Sequence, residues 1–135
     1  MKVAIVYAST TGNTEQLANA AAEGAKAAGR EVSITTADKG DISEALGADL
    51  ILLGSPAMGA EQLEESMEDF FSGIEGQLSG KKVGLFGSYD WGDGQWLSDW
   101  AERVSSAGAS LVGAVKAQLA PDAAALEEVK QLAAS

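Results

Sequence analysis

Short apolar runs alternate along the chain with longer segments in which apolar residues recur at helical spacing. Residues 3–8, 50–54 and 83–87 are almost continuously apolar and are bounded by polar or glycine-containing turns. Such runs predict strands that are buried on both faces, as in a parallel sheet. Residues 32–35 alternate instead, which predicts a more exposed edge strand, and residues 110–115 form a weaker fifth candidate.

Between these runs the pattern predicts four helices, together with a shorter one over residues 42–46. Each of the four has one apolar face, formed by Leu17, Ala21, Ala25 and Ala28; by Leu63, Met67, Phe70, Phe71 and Ile74; by Trp96, Leu97, Trp100, Val104 and Ala107; and by Leu126, Val129 and Leu132. Gly29 and Gly108 end the first and third helices, and Asp122 is the predicted N-cap of the last. At this spacing Trp96 and Trp100 are expected to serve packing and not a binding site.

Strands that alternate with helices define the fold class as α/β. We predict one domain over residues 1–135, with a doubly wound, five-stranded parallel sheet in the order 2-1-3-4-5. In such sheets a ligand binds beyond the carboxyl ends of the strands, where the strand order reverses. Three loops occupy that position: residues 9–14, 55–61 and 88–94.

Composition restricts the chemistry available to these loops. The chain has no cysteine and no histidine, which excludes disulfides and argues against hydrolytic triads and metal sites. A bound cofactor is therefore expected to carry the chemistry. Twenty acidic and nine basic residues give a net charge of −11, so nucleic acid and anionic membranes would repel the protein. Without a membrane-length apolar run or a signal-peptide pattern, a cytoplasmic location is expected.

The first loop has the composition of a phosphate site, since it consists of Ser9, Thr10, Thr11, Gly12, Asn13 and Thr14. Hydroxyl groups and the backbone amides at a helix N-terminus favour a phosphate dianion. The loop has no lysine, which argues against the triphosphate and magnesium chemistry of a P-loop, and it lacks the spaced glycines of a dinucleotide site. The alternative is an ordinary capped strand-to-helix turn.

The pattern Ser/Thr-x-Thr-Gly-Asn-Thr after a first strand resembles the FMN-phosphate signature of the flavodoxins. The whole chain is similar to their short-chain, clostridial-type members, and flavodoxins are themselves an example of ligand binding at a sheet edge. The resemblance implies a flavodoxin-like fold with non-covalently bound FMN. It also implies phosphate contacts from the side chains of Ser9, Thr11, Asn13 and Thr14, from the amides of residues 10–14, and from Ser88.

The second loop consists of Ser55, Pro56, Ala57, Met58, Gly59, Ala60 and Glu61. By the same resemblance this loop meets the reactive edge of the flavin. The peptide after Gly59 would turn over on reduction, so that its carbonyl accepts from the flavin N5–H and stabilises the neutral semiquinone. Glu61 would accept from the flavin N3–H, and Met58 would cover the inner face of the ring. The alternative for Met58 is a core side chain, and Pro56 replaces a hydroxyl residue of some relatives.

The third loop begins with Ser88, Tyr89, Asp90, Trp91 and Gly92. Trp91 resembles the tryptophan that stacks on the outer face of the flavin, and the alternative is a partly exposed structural tryptophan. Relatives often have glycine where this chain has Asp90, whose charge would disfavour the anionic reduced flavin. Acidic residues follow the second and third loops, which predicts a low potential and attraction to the basic docking faces of redox partners.

The resemblance therefore implies a low-potential one-electron carrier, not an enzyme, that shuttles electrons between redox proteins as a monomer. One alternative is an FMN-dependent quinone or nitro reductase of the same fold, which would need a dimer interface or extra loops to build its substrate site. A signalling receiver would need acidic residues at Ser9, Thr10 and Ser55, and we set that alternative aside. A cofactor-free binding module is the last alternative.

We predict that Ala60→Gly raises the semiquinone yield. After the peptide turns over, Ala60 would occupy the third position of a type II turn, where a positive φ is required. Alanine costs about 1 kcal/mol or more in that region, which corresponds to roughly a fivefold change in population. An anaerobic reductive titration measures the yield, and an unchanged or lower yield in the variant would contradict the hypothesis.

Overall fold

The computed structural model describes residues 1–10, 12–58, 62–90 and 94–134. Five parallel strands, numbered in chain order, form one sheet in the order 2-1-3-4-5. Their bounds are β1 Lys2–Tyr7, β2 Glu31–Thr36, β3 Leu50–Gly54, β4 Lys82–Tyr89 and β5 Ser110–Gln118. The predicted fold class and strand order are confirmed.

Helices cover both faces of this sheet. They are α1 Asn13–Ala27, α2 Ile42–Leu46, α3 Glu65–Ile74, α4 Gln95–Ser106 and α5 Ala123–Ala133, with single 3₁₀ turns at Ala37–Lys39 and Glu75–Gln77. α1 and α5 share one hydrophobic core with the sheet, and α2, α3 and α4 share the other. The sheet thus forms the middle of three layers, as a doubly wound fold requires.

The central strands are buried on both faces because their side chains alternate between the two cores. Ile5 and its β3 neighbour Leu52 belong to the core under α1 and α5, whereas Val6 and Leu53 belong to the core under α3 and α4. Burial on both faces explains why these strands are uninterrupted apolar runs. β2 lies at one edge of the sheet as predicted, and its Ile34 is 40% exposed.

The segment before α3 differs from the predicted helix. Leu63 was expected on the apolar face of that helix, but it lies in an antiparallel pair of two-residue strands, Ala57–Met58 and Gln62–Leu63. α3 begins at Glu65 because the Glu64 carboxylate accepts hydrogen bonds from the first amides of the helix. The second loop is therefore a hairpin that ends at a capped helix.

Other boundaries differ from the predictions by a few residues. Ala28 and Ala107 were expected on helix faces, but each is the C-cap residue just beyond α1 or α4. Ala8 follows β1 instead of ending it, and β5 continues to Gln118. Asp122 caps α5 as predicted, since its carboxylate accepts from the amide of Ala125 at 2.8 Å.

α1 and α5 approach so closely at Gly24 that a side chain there would not fit. A Cβ at this position would lie 2.5 Å from the carbonyl oxygen of Lys130. We expect Gly24→Ala to lower the free energy of unfolding by about 1–3 kcal/mol. Gly76→Ala is the matched control, since its Cβ would meet nothing within 4 Å, and it should be neutral or stabilising by up to about 1 kcal/mol. Urea unfolding measures both, and equal effects would refute the close-packing argument.

Candidate cofactor site

The first and third loops meet at the carboxyl edge of the sheet. Thr14, in the first turn of α1, and Ser88, near the end of β4, are both buried, and their hydroxyl oxygens lie 3.0 Å apart. Either hydroxyl can donate to the other, so their mutual bond uses one of the two protons. The second proton remains available to another acceptor. Two of the predicted phosphate-binding side chains are thus brought together from sequence positions 74 residues apart.

Gly12 lets the chain turn from the first loop into α1. Its backbone is left-handed, with φ 91°, which glycine adopts without steric cost. The Ser9 Oγ accepts hydrogen bonds from the amides of Gly12 and Glu15 at 3.1 and 3.4 Å. The amides of Asn13 and Thr14 have no acceptor among the described residues, at the positive end of α1. This set of neutral hydroxyl and amide donors fits the phosphate of FMN.

Two polar residues beside this loop were missed by the sequence analysis. The Tyr7 hydroxyl donates to a carboxylate oxygen of Glu15 at 3.2 Å. Burial, with a contribution from this carboxylate, raises the pKa of Tyr7. A tyrosine in an apolar strand has the pattern of a core residue, so no sequence signal marked the pair.

Of the other predicted residues in the first loop, Thr10 is exposed, and Thr11 lies outside the described residues.

The second loop presents Met58 beside the site. Ser55 and Pro56 are buried at the base of the hairpin, and Ala57 is half-buried. Met58 is 38% exposed, so it is not the core side chain of the alternative interpretation. Residues 59–61, which include the predicted flavin contacts at Gly59 and Glu61, lie outside the described part of the chain.

The stem of the third loop is held against β5 and α4. The carbonyl oxygen of Tyr89 accepts from the amide of Leu119 at 2.7 Å, where the chain turns with a left-handed φ of 56°. The carbonyl oxygen of Asp90 accepts from the Gln118 side chain at 3.2 Å. The Tyr89 ring packs against Trp96 with a centroid distance of 5.6 Å. Trp91 and Gly92 lie outside the described residues, so their roles at the flavin stay predictions.

A groove of about 670 Å³ opens between α3 and α4 beside the hairpin, and we call it the α3–α4 groove. Its lining includes the apolar side chains of Met58, Leu63, Trp96 and Trp100. Both tryptophans are buried, which confirms their predicted role in packing. Five acidic residues also line the groove: Glu64, Glu65, Glu68, Asp69 and Asp99. Among its described lining residues, Arg103 alone is basic.

Arg103 joins α4 to α3 through two carboxylates. Its Nη1 and Nη2 donate to the two oxygens of Glu68 at 2.8 and 2.9 Å, and Nη2 also donates to Glu75 at 3.2 Å. The guanidinium carbon lies 4.8 Å from the centroid of the Phe71 ring. The hydrogen bonds from Arg103 lower the pKa of Glu68, and those to Glu68 and Glu75 raise the pKa of Arg103. Because these partners are far apart in sequence, no local pattern could reveal them.

The comparisons with known proteins agree with this geometry. The family model described as Flavodoxin matches residues 5–131. The chain is 45% identical to a flavodoxin of Megasphaera elsdenii over 131 residues, which cover 96% of this chain and 94% of that protein. It is 47% identical to a flavodoxin of Clostridium beijerinckii over 109 residues, covering 80% and 79% of the two chains. The solution structure of the two-electron reduced Megasphaera elsdenii flavodoxin matches 98% of each chain, with a TM-score of 0.91 and 44% identity.

The fold is that of an α/β protein, with its candidate ligand site at the carboxyl edge of a parallel sheet. The chain belongs to the flavodoxin family. It is therefore an FMN-binding electron carrier and not an enzyme. Within the described residues, no helix combines the length and the apolar character needed to cross a membrane.

Proposed function

We propose that the three loops hold FMN non-covalently within a single domain and that the protein acts as a low-potential, one-electron shuttle. The observation that carries the proposal is the buried Thr14–Ser88 hydroxyl pair at the start of α1, where the amides of Asn13 and Thr14 find no acceptor in the described part of the chain. When bound, FMN supplies the redox chemistry. The residues of the chain bind it, orient it and set the electrostatic environment of its ring.

At the phosphate end, the proposed contacts are all neutral. They comprise the side chains of Ser9, Thr11, Asn13, Thr14 and Ser88, with the backbone amides from Thr10 to Thr14. Among these amides, that of Gly12 donates to the Ser9 Oγ in the structure. The partial positive charge of the α1 N-terminus favours a dianion there. Since no basic side chain lies in this loop, the site would exclude the triphosphate chemistry that requires a lysine.

At the ring end, the hairpin and the third loop would enclose the flavin. Ser55 and Pro56 form the buried base of the hairpin. We assign the ring contacts to Ala57, Met58, Gly59, Ala60 and Glu61 on one side, and to Tyr89, Asp90, Trp91 and Gly92 on the other. The exposed Met58 side chain supports this assignment, because an apolar surface of this kind suits an aromatic ring.

The α3–α4 groove supports the proposed low potential and the choice of partners. Its carboxylates would disfavour added negative charge on a nearby reduced flavin. Arg103 is engaged by Glu68 and Glu75, so the field of the groove is negative. We propose that a monomer in the cytoplasm presents this groove to the basic faces of other redox proteins.

Ser88→Ala tests the phosphate site. Loss of one charge-assisted hydrogen bond should weaken FMN binding by about tenfold. Binding of riboflavin, which lacks the phosphate, should change little. Ser105→Ala, on the exposed side of α4, is the matched control and should bind both flavins as the unchanged protein does. Quenching of flavin fluorescence in the apoprotein measures each affinity.

Measurements on the unaltered protein test the proposed function directly. A flavin spectrum that gains a long-wavelength band on half-reduction supports the shuttle. An apoprotein that fails to take up FMN contradicts it. Rapid oxidation of NADH by the isolated protein would instead favour the reductase alternative.

Neutralising the groove tests the docking surface. We expect the triple variant Glu65→Gln, Asp69→Asn, Asp99→Asn to slow electron transfer to a basic c-type cytochrome by about tenfold at low ionic strength. Its rate should also depend less on salt. The control triple Glu23→Gln, Glu127→Gln, Glu128→Gln lies on α1 and α5, across the sheet, and brings the same change in net charge from −11 to −8. Stopped-flow kinetics compare them, and equal losses would show a general charge effect without a docking groove.

A further inference from the structure

The hairpin that carries Met58 has a tightly bonded base. The chain leaves β3 at Gly54 and enters α3 at Glu65. Among the residues described between them, two pair on each side of the hairpin. So short a ladder holds few hydrogen bonds of its own. The positions of its outermost described pair, Met58 and Gln62, therefore depend on the way the base is fixed.

Ser55 makes four hydrogen bonds at this base. Its amide donates to the carbonyl oxygen of Phe86 in β4 at 3.1 Å, which extends the ladder between the two strands. Its Oγ donates to the carbonyl oxygen of Pro56 at 2.9 Å and accepts from the amide of Glu64 at 2.9 Å. Its own carbonyl oxygen accepts from the indole Nε1 of Trp96 in α4 at 3.3 Å.

These bonds leave Ser55 no hydroxyl proton to give to a ligand. The residue is 0% exposed, and its single hydroxyl proton is donated within the hairpin. The resemblance had placed Ser55 among the cofactor contacts, but its side chain ties one end of the hairpin to the other. Its partner Glu64 caps α3, and the carbonyl oxygen of Ser55 accepts from Trp96 of α4. Ser55 therefore links the hairpin to both α3 and α4.

The network has a counterpart further along the two helices. Glu68, one turn beyond the Glu64 cap, bonds Arg103, which lies two turns beyond Trp96 on α4. α3 and α4 are thus connected at two places: through Ser55 near their N-termini, and through the Arg103–Glu68 pair further along. Loss of the Ser55 hydroxyl would remove its bonds to Pro56 and Glu64 and leave the Arg103–Glu68 bonds intact.

We infer that Ser55 is a positioning residue that sets the relative affinity of the protein for the redox states of its flavin. This inference rests on the proposed function, because it assumes that the hairpin tip meets the flavin edge. A contact that binds every redox state equally cannot change a potential, whereas a contact made in one state only can. The hairpin base would act on such state-specific contacts by positioning Met58 and the paired residues of the hairpin.

Ser55→Ala tests the inference through the two one-electron midpoint potentials. We expect the potential of the first step to fall, with about a tenfold loss in the affinity ratio of the two states, which is about 59 mV for one electron. The affinity for oxidised FMN should change by less than about threefold, since the phosphate contacts are untouched. Ser88→Ala is the contrasting control, because a phosphate contact should weaken all states alike and leave both potentials in place.

A second variant keeps the test open if Ser55→Ala does not fold. Trp96→Phe keeps an aromatic ring and removes the indole donor to Ser55, and it should shift the same potential by a smaller amount. In the double variant the shifts should be less than additive, as for residues of one network. In the apoprotein, hydrogen exchange at the Glu64 amide should be at least about tenfold faster in Ser55→Ala.

The outcomes separate this inference from the proposed function. If the unaltered protein does not bind FMN, the proposed function fails. If FMN binds and the potentials of both variants stay unchanged, or all redox states weaken alike in Ser55→Ala, the positioning role fails while the function stands. A faster Glu64 amide without a potential shift would show a purely structural role.

Discussion

β3 and β4 approach each other closely at their carboxyl ends, and the rest of the site depends on this contact. Glycine is the only residue type that fits at position 87, because a Cβ on Gly87 would overlap the carbonyl oxygen of Ser55. That same oxygen accepts from Trp96, while the Ser55 amide extends the ladder to Phe86. The strand junction therefore fixes two things together. The hairpin leaves the sheet on one side of it, and Ser88, the next residue of β4, reaches Thr14 on the other.

This arrangement separates the two ends of the site electrostatically. Neutral donors and the α1 N-terminus lie at the end that suits a phosphate. The carboxylates of the α3–α4 groove lie at the other end, beside Met58. A protein with a net charge of −11 can thus hold an anionic cofactor without a basic residue in the binding loop. On the proposed function, the acidic residues of the groove would oppose added electrons and attract basic partners.

The fold was largely predictable because its central strands are buried on both faces, which leaves a strong signal in the sequence. The turn from β1 to α1 was predictable because it is local, and its phosphate role stays a prediction. The hairpin was not predictable, since glutamate is not a common N-cap. The cap at Glu64 makes α3 begin at Glu65, after the predicted helix residue Leu63. The Arg103 bonds to Glu68 and Glu75, like the Ser55 bonds, join distant segments, and only the packing of α3 against α4 brings them together.

An electron carrier places different demands on the two ends of its site. Contacts to the phosphate contribute affinity that is the same in every redox state, so they hold the cofactor without setting its potential. The potential depends on small differences in affinity at the ring, and on our inference a displacement of the hairpin would change which state is preferred. Rigidity at the hairpin base is then as important as the contacts at its tip. The bonds made by the buried Ser55 supply that rigidity through a residue that need not touch the flavin at all.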